Sequence, residues 1–226
     1  MRNRTCSGSA LCSASHSLNQ LSEDWAPSNK MKEGNDMTRW MAMKIRYPEI
    51  GVCGLSCRLC PLYHIEGKSR CGGCKSESRM AVGCPFITCA IKKKGIEFCW
   101  DCEENTTCEK WKKHREFSKQ HDTFVCYQRL EGNISFIQKS GVDEFEELQK
   151  IREQILKEML REFNEGRSKN YYCVAATVLD IEELKKALRE AKEQSKGLDV
   201  RGKSKVMHQI LDRVTERKGY YLRLRK

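Results

Sequence analysis

The chain has 226 residues, a formal net charge of +11, 32% charged residues and fourteen cysteines. That length holds one ordinary domain plus a small module, and no segment approaches the roughly 18 apolar residues of a membrane span, which excludes a helical membrane protein. The opening MRNRTCSGSALCSASHSLNQ also lacks the apolar run of about 7 to 15 residues of a secretory signal, so a cytoplasmic, reducing setting is expected, where cysteines serve as metal ligands or free thiols more than as disulfides.

Residues 1–46 mix small polar residues with scattered charge (SEDWAPSNKMKEGND) and show no helical or strand period, so this segment is expected to be disordered. Met37, Met41 and Met43 follow as alternative start points, and Cys6, Cys12 and His16 are expected to form no site. Residues 47–109 make a Cys-rich module holding Cys53, Cys57, Cys60, Cys71, Cys74, Cys84, Cys89, Cys99, Cys102 and Cys108. Regular structure should be sparse there, with one helical turn after Pro61 and another from Ile87 to Lys94. A stretch this short rarely buries enough to fold alone, so ligand bonds must supply what burial does not.

Residues 110–226 read as a helical region. WKKHREFSKQ is a helix, and Asp122 is placed to cap another running to about Ile137, although Gly132 weakens it. Ser140-x-x-Asp143 reads as the capping signal of the strongest helix, with Phe145, Leu148, Ile151, Ile155, Met159 and Phe163 at three and four and Gly166 as its stop. The run YYCVAATVL, Tyr171 to Leu179, fits a buried strand or a helix, which periodicity does not settle. Asp180-x-x-Glu183 opens a further helix, and a last one ends at Gly219. The final YYLRLRK alternates like an edge strand. The expected fold is mostly α: an irregular, metal-stapled Cys module on a helical body, with room for one small β strand pair.

Three of the cysteine spacings are Cys-x-x-Cys (57/60, 71/74, 99/102), which lets two thiolates on one tight turn reach the same ion. Cys57, Cys60, Cys71 and Cys74 have the two-knuckle form of a zinc ribbon, and a second set is assembled from Cys89, Cys99, Cys102 and Cys108, leaving Cys53 and Cys84 spare. Two zinc ions are the expected cofactors, because Zn accepts tetrahedral thiolates readily. Eight thiolates on two divalent ions would bring the formal charge down to about +7. An iron-sulfur cluster is the alternative. Cys53-x3-Cys57-x2-Cys60 reproduces the spacing of radical S-adenosylmethionine enzymes, and Cys60-Pro61 and Cys84-Pro85 echo bacterial ferredoxins. The barrel of alternating strands and helices that the radical chemistry needs has no counterpart downstream.

The segments CGLSCRLCPLY, CGGC, CPFITCA and KKKGIEFCWDCEENTTC resemble the cysteine-rich family catalogued as domain of unknown function 3795, over about residues 50 to 165. One departure lies at Asn105 to Thr107, where that family's pattern has a Phe-Pro type turn. The resemblance implies a metal-binding cytosolic protein and brings no established activity.

Other chemistry finds less support. No βαβ context frames a redox dithiol, and Cys126 and Cys173 lie in apolar runs as core residues. His64 and His114 are near enough to the knuckles to replace a thiolate, but surface or supporting roles are favoured. Lys92 to Lys94 with Trp100 and Trp111 could offer a basic aromatic surface to nucleic acid, and Lys196 to Lys226 carries ten Lys or Arg against three acids; a solvated face accounts for both as well. Phosphate-loop, nucleophile-elbow and zincin motifs are absent. The expected function is therefore a non-catalytic metal-binding protein whose helical body meets a protein partner. The alternatives are an iron-sulfur protein in electron transfer, redox sensing or S-adenosylmethionine-related work, or a nucleic-acid-binding zinc module.

Overall fold

The structure, a computed structural model, describes residues 44–226. The segment expected to be disordered, with Cys6, Cys12 and His16, lies outside that range except for its last three residues. Among the described residues eight α-helices follow one another: α1 (Glu77–Val82), α2 (Pro85–Ile87), α3 (Glu109–Gln120), α4 (Leu130–Ser140), α5 (Val142–Phe163), α6 (Lys169–Val178), α7 (Ile181–Gln194) and α8 (Val200–Lys218). α2 runs directly into a π-helical turn, Thr88–Lys94, which realises the helical turn expected there. The residues directly after Pro61 form only a turn, flanked by two 3₁₀ helices, Cys57–Leu59 before it and Gly67–Ser69 after it.

Local chemistry sets the helix ends. Asp180 opens α7 through a complete capping box, its side chain accepting from the backbone three residues on while Glu183 accepts from the Asp180 N–H. Asp199 caps α8 by accepting from Gly202 N at 2.8 Å, and Gly219 ends it. The start of α5 differs from expectation: Gly141, not Ser140, precedes its first residue. Gly141 has φ +92°, a conformation that lets the chain turn sharply between α4 and α5 and that few other residues adopt, so Ser140 is taken up as the last residue of α4.

One open reading is resolved and one expectation is corrected. YYCVAATVL, open between strand and helix by its sequence, is a helix: Tyr172 to Ala176 are all buried, as in a helix enclosed on every side. The final YYLRLRK forms no strand, and among the described residues the only β pairing is an isolated antiparallel bridge, Ile50 to Ser56. The tail instead lies along the helices. Gln128 holds Tyr221 at both backbone groups (2.7 and 3.0 Å), and Leu222 is buried in the helical core.

Asp122 explains why α4 starts late. Its carboxylate does not cap a helix there; it accepts from Tyr127 N and from Arg225 at both backbone N (2.8 Å) and Nε (2.9 Å), so residues 122–129 stay irregular. Burial raises the Asp122 carboxyl, but the Arg225 guanidinium and the two N–H donors outweigh it, and its pKa lies below the ordinary 3.8. Because the folded value is the lower one, this tether stabilises fully above pH 3.8 and is lost as pH falls through the depressed value. Amide exchange at Arg225 is therefore expected to accelerate in acid before the helices open, and Asp122→Asn should free the tail at neutral pH.

The core is shared along the chain. α5 packs against α4, α6, α7 and α8, and its buried Leu156, Met159 and Phe163 join Tyr172, Leu184 and Leu211 in the largest cluster. A second cluster mixes Tyr47, Ile50, Phe98 and Trp100 from the Cys-rich stretch with Trp111, Ile134 and Phe145 from the helices. A third, of Val52, Met80, Ile87, Ala90 and Ile91, lies within the Cys-rich stretch. Among the described residues no helix is long and apolar enough to cross a membrane.

Candidate metal centre

Two of the three Cys-x-x-Cys pairs sit on single 3₁₀ turns, Cys57–Leu59 and Cys99–Asp101. In each, the N–H of the second cysteine donates to the carbonyl of the first, at 3.0 and 3.3 Å, so four residues carry two thiols. The third pair turns on Gly73, whose φ is +100° and where an added Cβ would lie 3.1 Å from Pro48 O and 3.8 Å from Cys57 Sγ. That close approach requires glycine, and it lays the Cys71/Cys74 turn over the Cys57 knuckle.

The two knuckles meet through sulfur. Cys74 N donates to Cys57 Sγ at 3.2 Å across seventeen positions of sequence, and the two thiols hydrogen-bond. That bond and burial raise the Cys57 pKa, while the same bond, with Arg79 and Lys75, lowers that of Cys74 against its burial. The Cys60 thiol is raised by burial, although the N–H groups of Leu62 and Tyr63 donate toward it; its neighbours are Cys74 and Cys71. Backbone N–H groups aimed at sulfur are what a thiolate needs when it gives up its proton inside a protein.

A second neighbourhood centres on Cys99. Burial pushes its thiol up to about 12, and the adjacent thiols are Cys53, Cys89, Cys108 and Cys102. Lys94 Nζ donates to Cys102 Sγ at 3.3 Å and pairs with Glu104 at 2.8 Å. Asn105, where the family pattern has a different turn, donates from Nδ2 to Trp100 O at 2.8 Å and so closes the Cys99–Asp101 turn. Cys108 directly precedes α3.

Cys53 lies between the two sets. Its thiol, pushed up to about 12 by burial, also feels Cys74 and Cys84 on one side, as Cys99 feels it on the other. The thiols of Cys57, Cys60, Cys71 and Cys74 neighbour one another, and Cys99 neighbours Cys53, Cys89, Cys102 and Cys108. Among the described residues, no group of three or more His, Cys, Asp or Glu side chains is arranged as a ready-made metal site. The donor chemistry suits a thiophilic ion: thiols pack side by side with N–H donors already aimed at sulfur. Closure of each set around one point is not present in the fold itself.

Residues 49–113 match the family described as Protein of unknown function (DUF3795). The match covers all ten cysteines and ends inside α3, short of the residue 165 expected from the resemblance. No curated protein and no solved structure matches the chain. Within the DUF3795 stretch, His64 braces a knuckle: its Nε2 donates to Arg58 O at 2.6 Å, and burial lowers its pKa. His114, just past it, packs among Phe86, Trp111 and Tyr127 with its Nε2 buried and without a partner. Trp100 and Trp111 are buried and offer no open stacking face.

Sequence reading missed three residues that hold the centre. Lys75, beside Cys74, is a fully buried ammonium that donates to Glu97 (2.8 Å) and Tyr47 O (3.1 Å) and lies 4.0 Å from the centre of the Phe98 ring. It joins the Cys71/Cys74 turn to the segment entering Cys99. Arg58, inside the first knuckle, ion-pairs with Glu49, Glu146 and Glu153 and so fastens that knuckle to α5. Arg152 donates from Nη1 to Ala176 O (2.7 Å) and to Leu179 O at the end of α6. A cation flanking a cysteine turn was the only signal available for the first two; Arg152 sits on the apolar face of α5 and had none.

Proposed function

We propose that this chain is a thiolate metalloprotein in which zinc has a structural role, one ion held by Cys57, Cys60, Cys71 and Cys74 and another by Cys89, Cys99, Cys102 and Cys108. The observation that carries the reading is the meeting of Cys57 and Cys74 across seventeen positions, with the other set gathered around Cys99. Zn binding to thiolates releases protons and adds folding free energy, so neutral thiols held as neighbours are the expected metal-free arrangement. All-thiolate tetrahedral sites keep no open position, which assigns the module a scaffold role and leaves the helical body to meet a protein partner.

An iron-sulfur cluster is the second reading, favoured by one observation: Cys53, spare in an eight-ligand count, is adjacent to both sets. Metal analysis of protein purified without oxygen decides between them. About two Zn and negligible Fe per chain are expected; a brown protein with several Fe overturns the zinc reading. Cys53→Ala sharpens the test, since it should leave a zinc count unchanged and abolish the visible absorption of a cluster that uses it.

A further inference from the structure

The first cysteine set faces a cavity of about 430 Å³ between the Cys-rich stretch and α4, α5 and α6, within the range of roughly 300 to 1,000 Å³ common for small-molecule sites. Its wall is mostly apolar, with Phe124, Phe136, Leu148 and Val174 among the side chains. Three cations line it, Arg79, Arg129 and Arg152, and among the described residues no Asp or Glu does, although the chain has 31 acidic residues. Cys57, Cys60, Cys71 and Cys74 also line it, and four thiolates on one Zn ion would carry −2, so the three guanidinium groups still leave the carboxylate-free wall at +1, favourable to negative charge.

We propose that the cavity binds a small organic anion with an apolar body, its carboxylate or equivalent acidic group meeting the arginines and its hydrocarbon lying against the phenylalanine and leucine wall. A medium-chain carboxylate has this chemistry and suits the volume. The inference does not depend on which metal the neighbouring cysteines hold, because the three arginines and the apolar wall belong to the protein alone.

The test uses the full chain as purified, with its metal, titrated calorimetrically with decanoate and, separately, with decanol. Decanoate is expected to bind, with decanol at least about ten-fold weaker, the difference of one charge-assisted contact. Arg79→Gln, at the partly exposed edge of the wall and beside Cys74, should weaken decanoate by about ten-fold per metal-loaded chain, with metal content measured alongside. Leu148→Trp, which fills the cavity, should abolish binding. Equal binding of acid and alcohol, no binding of decanoate at millimolar concentration, or decanoate affinity unaltered in both variants overturns the proposal. So does loss of metal on Arg79→Gln without any effect on decanoate, which would assign the arginines to the thiolates instead. If Leu148→Trp fails to fold, Arg79→Gln and the acid-alcohol comparison decide the matter alone.

Discussion

Stripping metal with a strong chelator is expected to release the Cys-rich stretch while α5 to α8 stay folded. The reason lies in where the cores are. The largest cluster is built by α5 to α8 and takes only Leu59 from residues 47–109, so it should survive. The third cluster has five buried residues, one of them an alanine, all between Val52 and Ile91, too little apolar surface to order the turns around it. Structural zinc supplies on the order of 10 kcal/mol of folding free energy in small modules, and here that term would stand where burial does not. Hydrogen exchange read by mass spectrometry checks this. Amides from about 52 to 102 should lose protection on chelation and in Cys57→Ala, while those of α5 to α8 keep theirs. An exchange pattern unmoved by both treatments would show that packing alone orders the knuckles and that Cys57 is no structural ligand.

How far the sequence could be read follows from the range of the interactions involved. α7 and its capping box, the stop of α8 at Gly219 and the helix over WKKHREFSKQ rest on contacts within a few residues, and each is where the sequence puts it. The errors arise where a distant group takes over a local signal. Asp122 looks like a helix cap until Arg225, 103 positions away, claims its carboxylate. The alternating YYLRLRK has a strand's pattern but no strand to pair with, and burial of Leu222 satisfies it instead. YYCVAATVL stays undecided between strand and helix for a related reason: it is apolar on all sides because α5 and its neighbours enclose it, which no period within nine residues reveals.

The cysteines follow the same division. Spacing separates Cys57/60/71/74 from Cys89/99/102/108, because each knuckle is a local turn. Spacing says nothing about Cys53, whose place between the sets depends on how residues 50 to 57 fold back against the Cys99 turn, with Cys99 N donating to Val52 O at 2.9 Å. The charged residues that clamp the two neighbourhoods were invisible for a simpler reason. Lys75 and Glu97 are 22 positions apart in a chain that is one-third charged, so neither stands out.

That pair sets the other large effect: Glu97→Gln is expected to destabilise the fold by about 3–5 kcal/mol. The Lys75 side chain is 0% exposed, and Glu97, at 11%, is the only carboxylate it pairs with among the described residues. Burial already lowers the Lys75 pKa, and the Glu97 carboxylate is what raises it back. Without that carboxylate the ammonium keeps the Tyr47 carbonyl and the Phe98 ring, contacts too weak to offset its desolvation. Glu97 also accepts the N–H groups of Tyr47 (2.8 Å) and Arg46 (3.2 Å), so the carboxylate is better placed to lose its partner than the ammonium is. Lys75→Met should therefore cost less than Glu97→Gln, and the double variant should recover much of the Glu97→Gln loss, since the isolated buried charge is then gone. Urea midpoints for the four proteins close the cycle, provided the slope is shared. A Glu97→Gln cost below about 1 kcal/mol would place Lys75 in reach of water or another acceptor, and the link between the Cys71/Cys74 turn and Cys99 would then rest on apolar packing around Phe98 alone.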